Sequence, residues 1–150
     1  MSNCLSEVFC ILRCSELDCS EVDTLIQWGM STQDGSVIRQ CLGMMLSMVS
    51  ESSQRVVALF KSALDPAVRE IIMSDSLSSV SFVRLCWSLY QATNTNEYLK
   101  SLCSLTQESG EACSLQAMEC VCQIPYSILA TLNTNGDQGD GGSFIKFYLL

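Results

Sequence analysis

The 150-residue chain contains no histidine. The commonest general base is therefore missing, and so is any Ser-His or Cys-His nucleophile pair. No G-x-S-x-G, phosphate loop or dinucleotide fingerprint occurs, so no motif points to acyl transfer, nucleotide or hydride chemistry. Basic residues are scarce. Eight Lys and Arg against 16 Asp and Glu leave a net charge of −8, which disfavours nucleic acid and anionic membrane surfaces as partners. No run approaches the roughly 18 apolar residues of a membrane span. The opening "MSNCLSEVFCILRC" lacks a basic leader before its short apolar patch, so no signal peptide is expected. Nor does the end at Leu150 suggest a stable membrane anchor. The expectation is a binding protein with no enzymatic activity and no cofactor.

Against these absences stand ten cysteines and a hydrophobic content of 48%. That is ample material for one core, and the length fits one domain spanning residues 1–150. Several cysteines sit beside Leu, Ile or Val, where a free thiol behaves as a small hydrophobe. With aliphatic residues plentiful, a disulfide scaffold is unnecessary, and reduced thiols in a cytoplasmic protein are expected. Zinc is disfavoured because there is no histidine and no C-x-x-C pair, and the spacings within Cys10, Cys14 and Cys19 do not suit a knuckle. Cys120 and Cys122, two apart on a helix, point to different sides.

Apolar positions recur at three and four, so the chain is read as all-α, a globular bundle of seven to nine helices. Leu5, Val8, Phe9 and Leu12 mark a first helix. Ser20 is expected to cap a second that ends near Gly29. Val37 to Val49 and Val56 to Leu64 read as two further helices. Asp65 and Pro66 start another. "ATNTNEYLK" predicts a break or distortion near Asn94. Residues 111–123 and 125–132 read as helices divided at Pro125. A glycine-rich loop over residues 130–142 then leads to a last short helix, "SFIKFYLL".

One segment raises a sharper question. In "SVSFVRLCWSLY" the apolar residues Val80, Phe82, Val83, Leu85, Cys86, Trp87, Leu89 and Tyr90 point all round a helix, the pattern of a buried one. Arg84 lies among them and keeps its charge, so it needs an internal carboxylate or an opening to a partner. An opening would be a groove that accepts an amphipathic helix, with one charge fixing register.

"SFVRLCWSLY" resembles the Bcl-2 family segment N-W-G-R-I-V-A-F-F, with Ser81, Phe82, Val83 and Arg84 standing for N-W-G-R. "GGSFIKF" is similar to the family's G-G-W-x-x-F element: Gly141 and Gly142 match its glycines, Phe144 its tryptophan and Phe147 its phenylalanine. Together the motifs cover about 15 residues, in the family's order. Val83 for glycine and Phe82 for tryptophan are departures that narrow the expected partner range. A divergent chain of this kind is similar to virus-encoded members.

The resemblance implies a bundle around a buried central helix, with a surface groove that captures BH3 helices of pro-apoptotic proteins and so blocks cell death. Arg84 would pair with the helix's aspartate. Phe82, Val83 and Leu85 would form the groove floor, and Phe144 and Phe147 would close one end. The walls would come from Met44, Met45, Met48, Val57 and Phe60, although a methionine cluster at helical spacing also fits plain core. Localisation would be cytosolic or peripheral at mitochondria. "VIRQCLGMML" has the spacing of a death-promoting helix but no acid after Gly43, so the chain reads as receptor. An unoccupied groove invites self-association, which makes a homodimer a further expectation. The alternative is a death-fold-type adaptor acting through homotypic contacts.

Overall fold

In the computed structural model, residues 2–108 and 110–134 are described. Eight helices occur among them: α1 (Ser2–Arg13), α2 (Cys19–Ser31), α3 (Gly35–Ala63), α4 (Pro66–Met73), α5 (Ser76–Thr93), α6 (Asn96–Leu105), α7 (Glu111–Val121) and α8 (Tyr126–Thr134). The chain is all-α over these residues, as expected. α5 packs against α3, α4, α6 and α7 and forms the centre of the bundle, while α1 and α2 lie against α3.

Aspartates start four of the helices, and the reason is local. The first amides of a helix have no internal acceptor, and a short carboxylate can supply one. Asp18 accepts from the Glu21 amide at 2.8 Å, and the Glu21 side chain accepts from the Asp18 amide at 3.1 Å. This closed capping box corrects the expected cap at Ser20. Asp34 accepts from the amides of Ser36 and Val37. Asp75 accepts from both the amide and the hydroxyl of Ser78. Asp65 precedes α4 as anticipated, with Pro66 at the first turn, but its side chain makes no cap hydrogen bond.

Some expected boundaries differ from the structure by a few residues. α2 continues past Gly29 to Ser31. The two helices expected over 37–64 are present, joined end to end within α3 across a kink where Ser52 leaves helical geometry (φ −142°, ψ 52°). Short polar residues, "SESS", surround that point, and they compete for backbone hydrogen bonds, which favours the kink. α8 runs to Thr134, so the first residues of the expected 130–142 loop are helical. The remainder of that loop, and "SFIKFYLL", lie outside the described residues. Near Asn94 the expected break is real: Asn94 takes the left-handed conformation (φ 56°) and ends α5, and α6 begins two residues later.

The core is continuous. Phe82 of α5 stacks on Phe60 of α3 at 5.5 Å, and Tyr98 of α6 meets Phe60 edge-on at 5.3 Å. Gly29 of α2 is a close-approach glycine, because a Cβ there would overlap Cys41 Sγ and the Phe9 ring. That absence of a side chain lets α1, α2 and α3 meet.

Candidate functional site

α5 is not buried all round, contrary to its apolar pattern. Leu77, Arg84 and Gln91 are exposed and Val80, Ser81, Trp87 and Ser88 half-buried, all at helical spacing of three and four. One stripe of the central helix therefore reaches solvent, and Arg84 is in its middle. Leu77 is 61% exposed although apolar. Trp87 lies with its ring 6.1 Å from that of Tyr90. Towards the C-terminal end, the stripe borders a cleft of about 330 Å³ where Ser88, Gln91 and Ala92 face Leu46, Val49 and Ser50 of α3.

Arg84 is thus in an opening, and among the described residues no carboxylate is within ion-pair distance of it. The two ion pairs found there are Arg55 with Asp23 at 2.6 Å and Arg39 with Asp75 at 3.9 Å. Asp75 caps the start of α5, but nine residues along a helix means roughly 13 Å. Its carboxyl is occupied: the hydrogen bond from the Ser78 hydroxyl, helped by Arg39, lowers its pKa. On the other flank lies Cys120 of α7, whose pKa burial raises, with the Arg84 charge a smaller opposing influence. Glu119 adds a smaller upward influence on the same thiol, and no ion pair joins it to Arg84.

The expected groove residues divide by depth. Arg84 is on the surface. Phe82, Val83 and Leu85 lie beneath the stripe, fully buried, as do Met45 and Phe60 of α3. They can support a groove from below, but direct contact with a docked helix would require repacking. Met44, Met48 and Val57 are half-buried and pack on the core. The α3 residues that line the cleft beside α5 are Leu46, Val49 and Ser50; of these the sequence named only Val49, as the end of an apolar helix. Phe144 and Phe147 lie outside the described residues.

The thiols are largely packing groups. Cys41, Cys86, Cys103, Cys113 and Cys120 are buried, whereas Cys14, Cys19 and Cys122 are exposed. Burial pushes Cys41 up to about 12 and also raises Cys86, Cys113 and Cys120, so these four stay protonated at neutral pH. Cys120 points inward and Cys122 outward, as their spacing implied. No cluster of three or more His, Cys, Asp or Glu suited to a metal occurs among the described residues, and no described helix is long and apolar enough to cross a membrane.

No protein-family model, curated protein or solved structure matches the chain.

Proposed function

We propose that the protein captures an amphipathic helix along the open stripe of α5, and that this helix is the BH3 segment of a pro-apoptotic protein, making the chain an inhibitor of cell death. The observation that carries this reading is Arg84: a permanent cation, exposed on the central helix between half-buried apolar neighbours, with no carboxylate closed on it among the described residues. A docked helix would lay its apolar face on Val80, Trp87 and the cleft beside Leu46, and would bring an aspartate to the guanidinium. A charge-assisted, bidentate pair of that kind fixes both position and direction. The resemblance of "SFVRLCWSLY" to the Bcl-2 segment supplies the identity of the partner.

The test is calorimetric titration of the reduced protein with BH3 peptides, repeated with each peptide's aspartate changed to alanine. Submicromolar binding that depends on both Arg84 and the aspartate supports the proposal. Failure of every peptide to bind refutes it. Glu119→Gln separates the internal alternative: if Glu119 were the true partner of Arg84, that change would release the guanidinium and strengthen binding.

A further inference from the structure

A second apolar surface lies away from α5, where α1 meets α2. Val8, Ile11 and Leu12 follow one another at helical spacing on α1 and remain exposed, Ile11 by 69%. They lead into a cleft of about 450 Å³ whose walls include Leu12, Leu17, Leu25 and Trp28. Glu21 and Thr24 supply part of its polar edge. Trp28 is held from behind by the Phe9 ring, stacked at 6.4 Å, so this wall of the cleft is fixed by core packing. Large apolar side chains left in water beside a preformed cleft mark a contact surface.

Charge decides what fits it. Residues 1–34 contain six carboxylates and one arginine, a balance of −5 out of −8 for the whole chain. Asp23 is committed to Arg55, and Asp18 and Glu21 share the capping box, with Glu21 still exposed. Glu7 and Glu16 are exposed and make no hydrogen bond or ion pair among the described residues. A second copy docking here would set this acidic segment against itself, and an anionic membrane or nucleic acid would be repelled. A cationic occupant gains from the same field. The surface runs between two packed helices, a shape filled by the ridge of a third.

We propose that the α1–α2 face is a docking site for a basic amphipathic helix of a partner protein, distinct from the α5 stripe. Its apolar anchors enter the cleft beside Trp28, and its lysines or arginines lie over Glu7, Glu16 and Glu21.

Two synthetic helical peptides test this, sharing one leucine face at i, i+3, i+4 and i+7 but carrying lysine or glutamate on the flanks. In the full chain carrying Trp87→Phe, Trp28 is the sole tryptophan and reports occupancy by its emission. The lysine peptide is expected to saturate the signal, to weaken as salt rises, and to bind at least tenfold more tightly than the glutamate peptide. Leu12→Asn with Leu17→Asn should abolish the response while circular dichroism stays helical, and Glu16→Lys should weaken it. Arg84→Ala should leave it unchanged, so failure of the α5 proposal and failure of this one are separable. Equal binding of the two peptides, insensitivity to the leucine substitutions, or a concentration-dependent dimer that buries Trp28 would each overturn the proposal.

Discussion

The two open surfaces of this bundle are built alike and charged oppositely. On α5, half-buried Val80 and Trp87 flank a cation; on α1 and α2, Val8, Ile11 and Trp28 are accompanied by carboxylates. The apolar component of each contributes contact area without selecting a partner. On the two proposals the charge does the selecting: an acidic helix would be favoured at Arg84 and a basic one near Glu16 and Glu21. The surfaces also differ in what supports them. The α5 stripe lies over the Phe60–Phe82 stack, whereas the α1–α2 face rests on the Phe9–Trp28 stack and on the close approach at Gly29.

The largest effect should come from removing that support under α5. Phe82→Ala is expected to cost about 3–5 kcal/mol of stability, read as a lower midpoint in urea unfolding, and to weaken the binding of acidic helices as well. Arg84→Ala sharpens the contrast. It should remove roughly 2–5 kcal/mol of BH3-helix binding and change stability by less than about 0.5 kcal/mol, because the side chain is exposed. Equal losses of folding and binding would mean that Arg84 is a structural residue.

Gly29→Ala probes the other support. The added methyl meets Cys41 and Phe9, and a destabilisation of about 1–3 kcal/mol is expected, together with altered Trp28 emission. Unchanged stability would show that α1 moves aside freely.

A smaller effect, spread over both regions, should appear at high pH. Cys41 ionises at about 12 in the fold against 9.0 for an ordinary thiol, and Cys86, Cys113 and Cys120 are shifted the same way by burial. The native state therefore holds protons that the unfolded chain releases. The associated stability is fully present below about pH 9 and is lost as pH rises towards 12. Urea midpoints should fall from pH 8.5 to about pH 10.5, and less steeply in Cys41→Ala. A flat profile would contradict the buried, protonated thiols.

Much of this architecture is legible in the residues, and the misses have physical causes. Helical spacing from Val37 to Val49 and the Asp65–Pro66 start both appear as read. The break expected near Asn94 is there, and asparagine ends α5 because it tolerates the left-handed conformation. Ser20 was a plausible cap, but Asp18 with Glu21 three residues on is the stronger signature and it won. The open stripe of α5 was obscured by its three apolar members, Leu77, Val80 and Trp87. Its polar members, Ser81, Arg84, Ser88 and Gln91, are spaced three, four and three apart, and that spacing was the available signal. Depth was not legible: nothing in the run of methionines distinguishes fully buried Met45 from half-buried Met44 and Met48. Nor did α3 announce Leu46 and Val49 as cleft residues, since only the crossing of α3 over α5 puts them there.

The central claim is that Arg84 waits for a partner's carboxylate. Its most direct test is a double-mutant cycle by calorimetry, pairing Arg84→Ala with the aspartate-to-alanine form of whichever BH3 peptide binds most tightly. A coupling energy of roughly 1.5 kcal/mol or more between the two positions is the predicted result. Additive losses, with no coupling, would show that the guanidinium and the aspartate never meet.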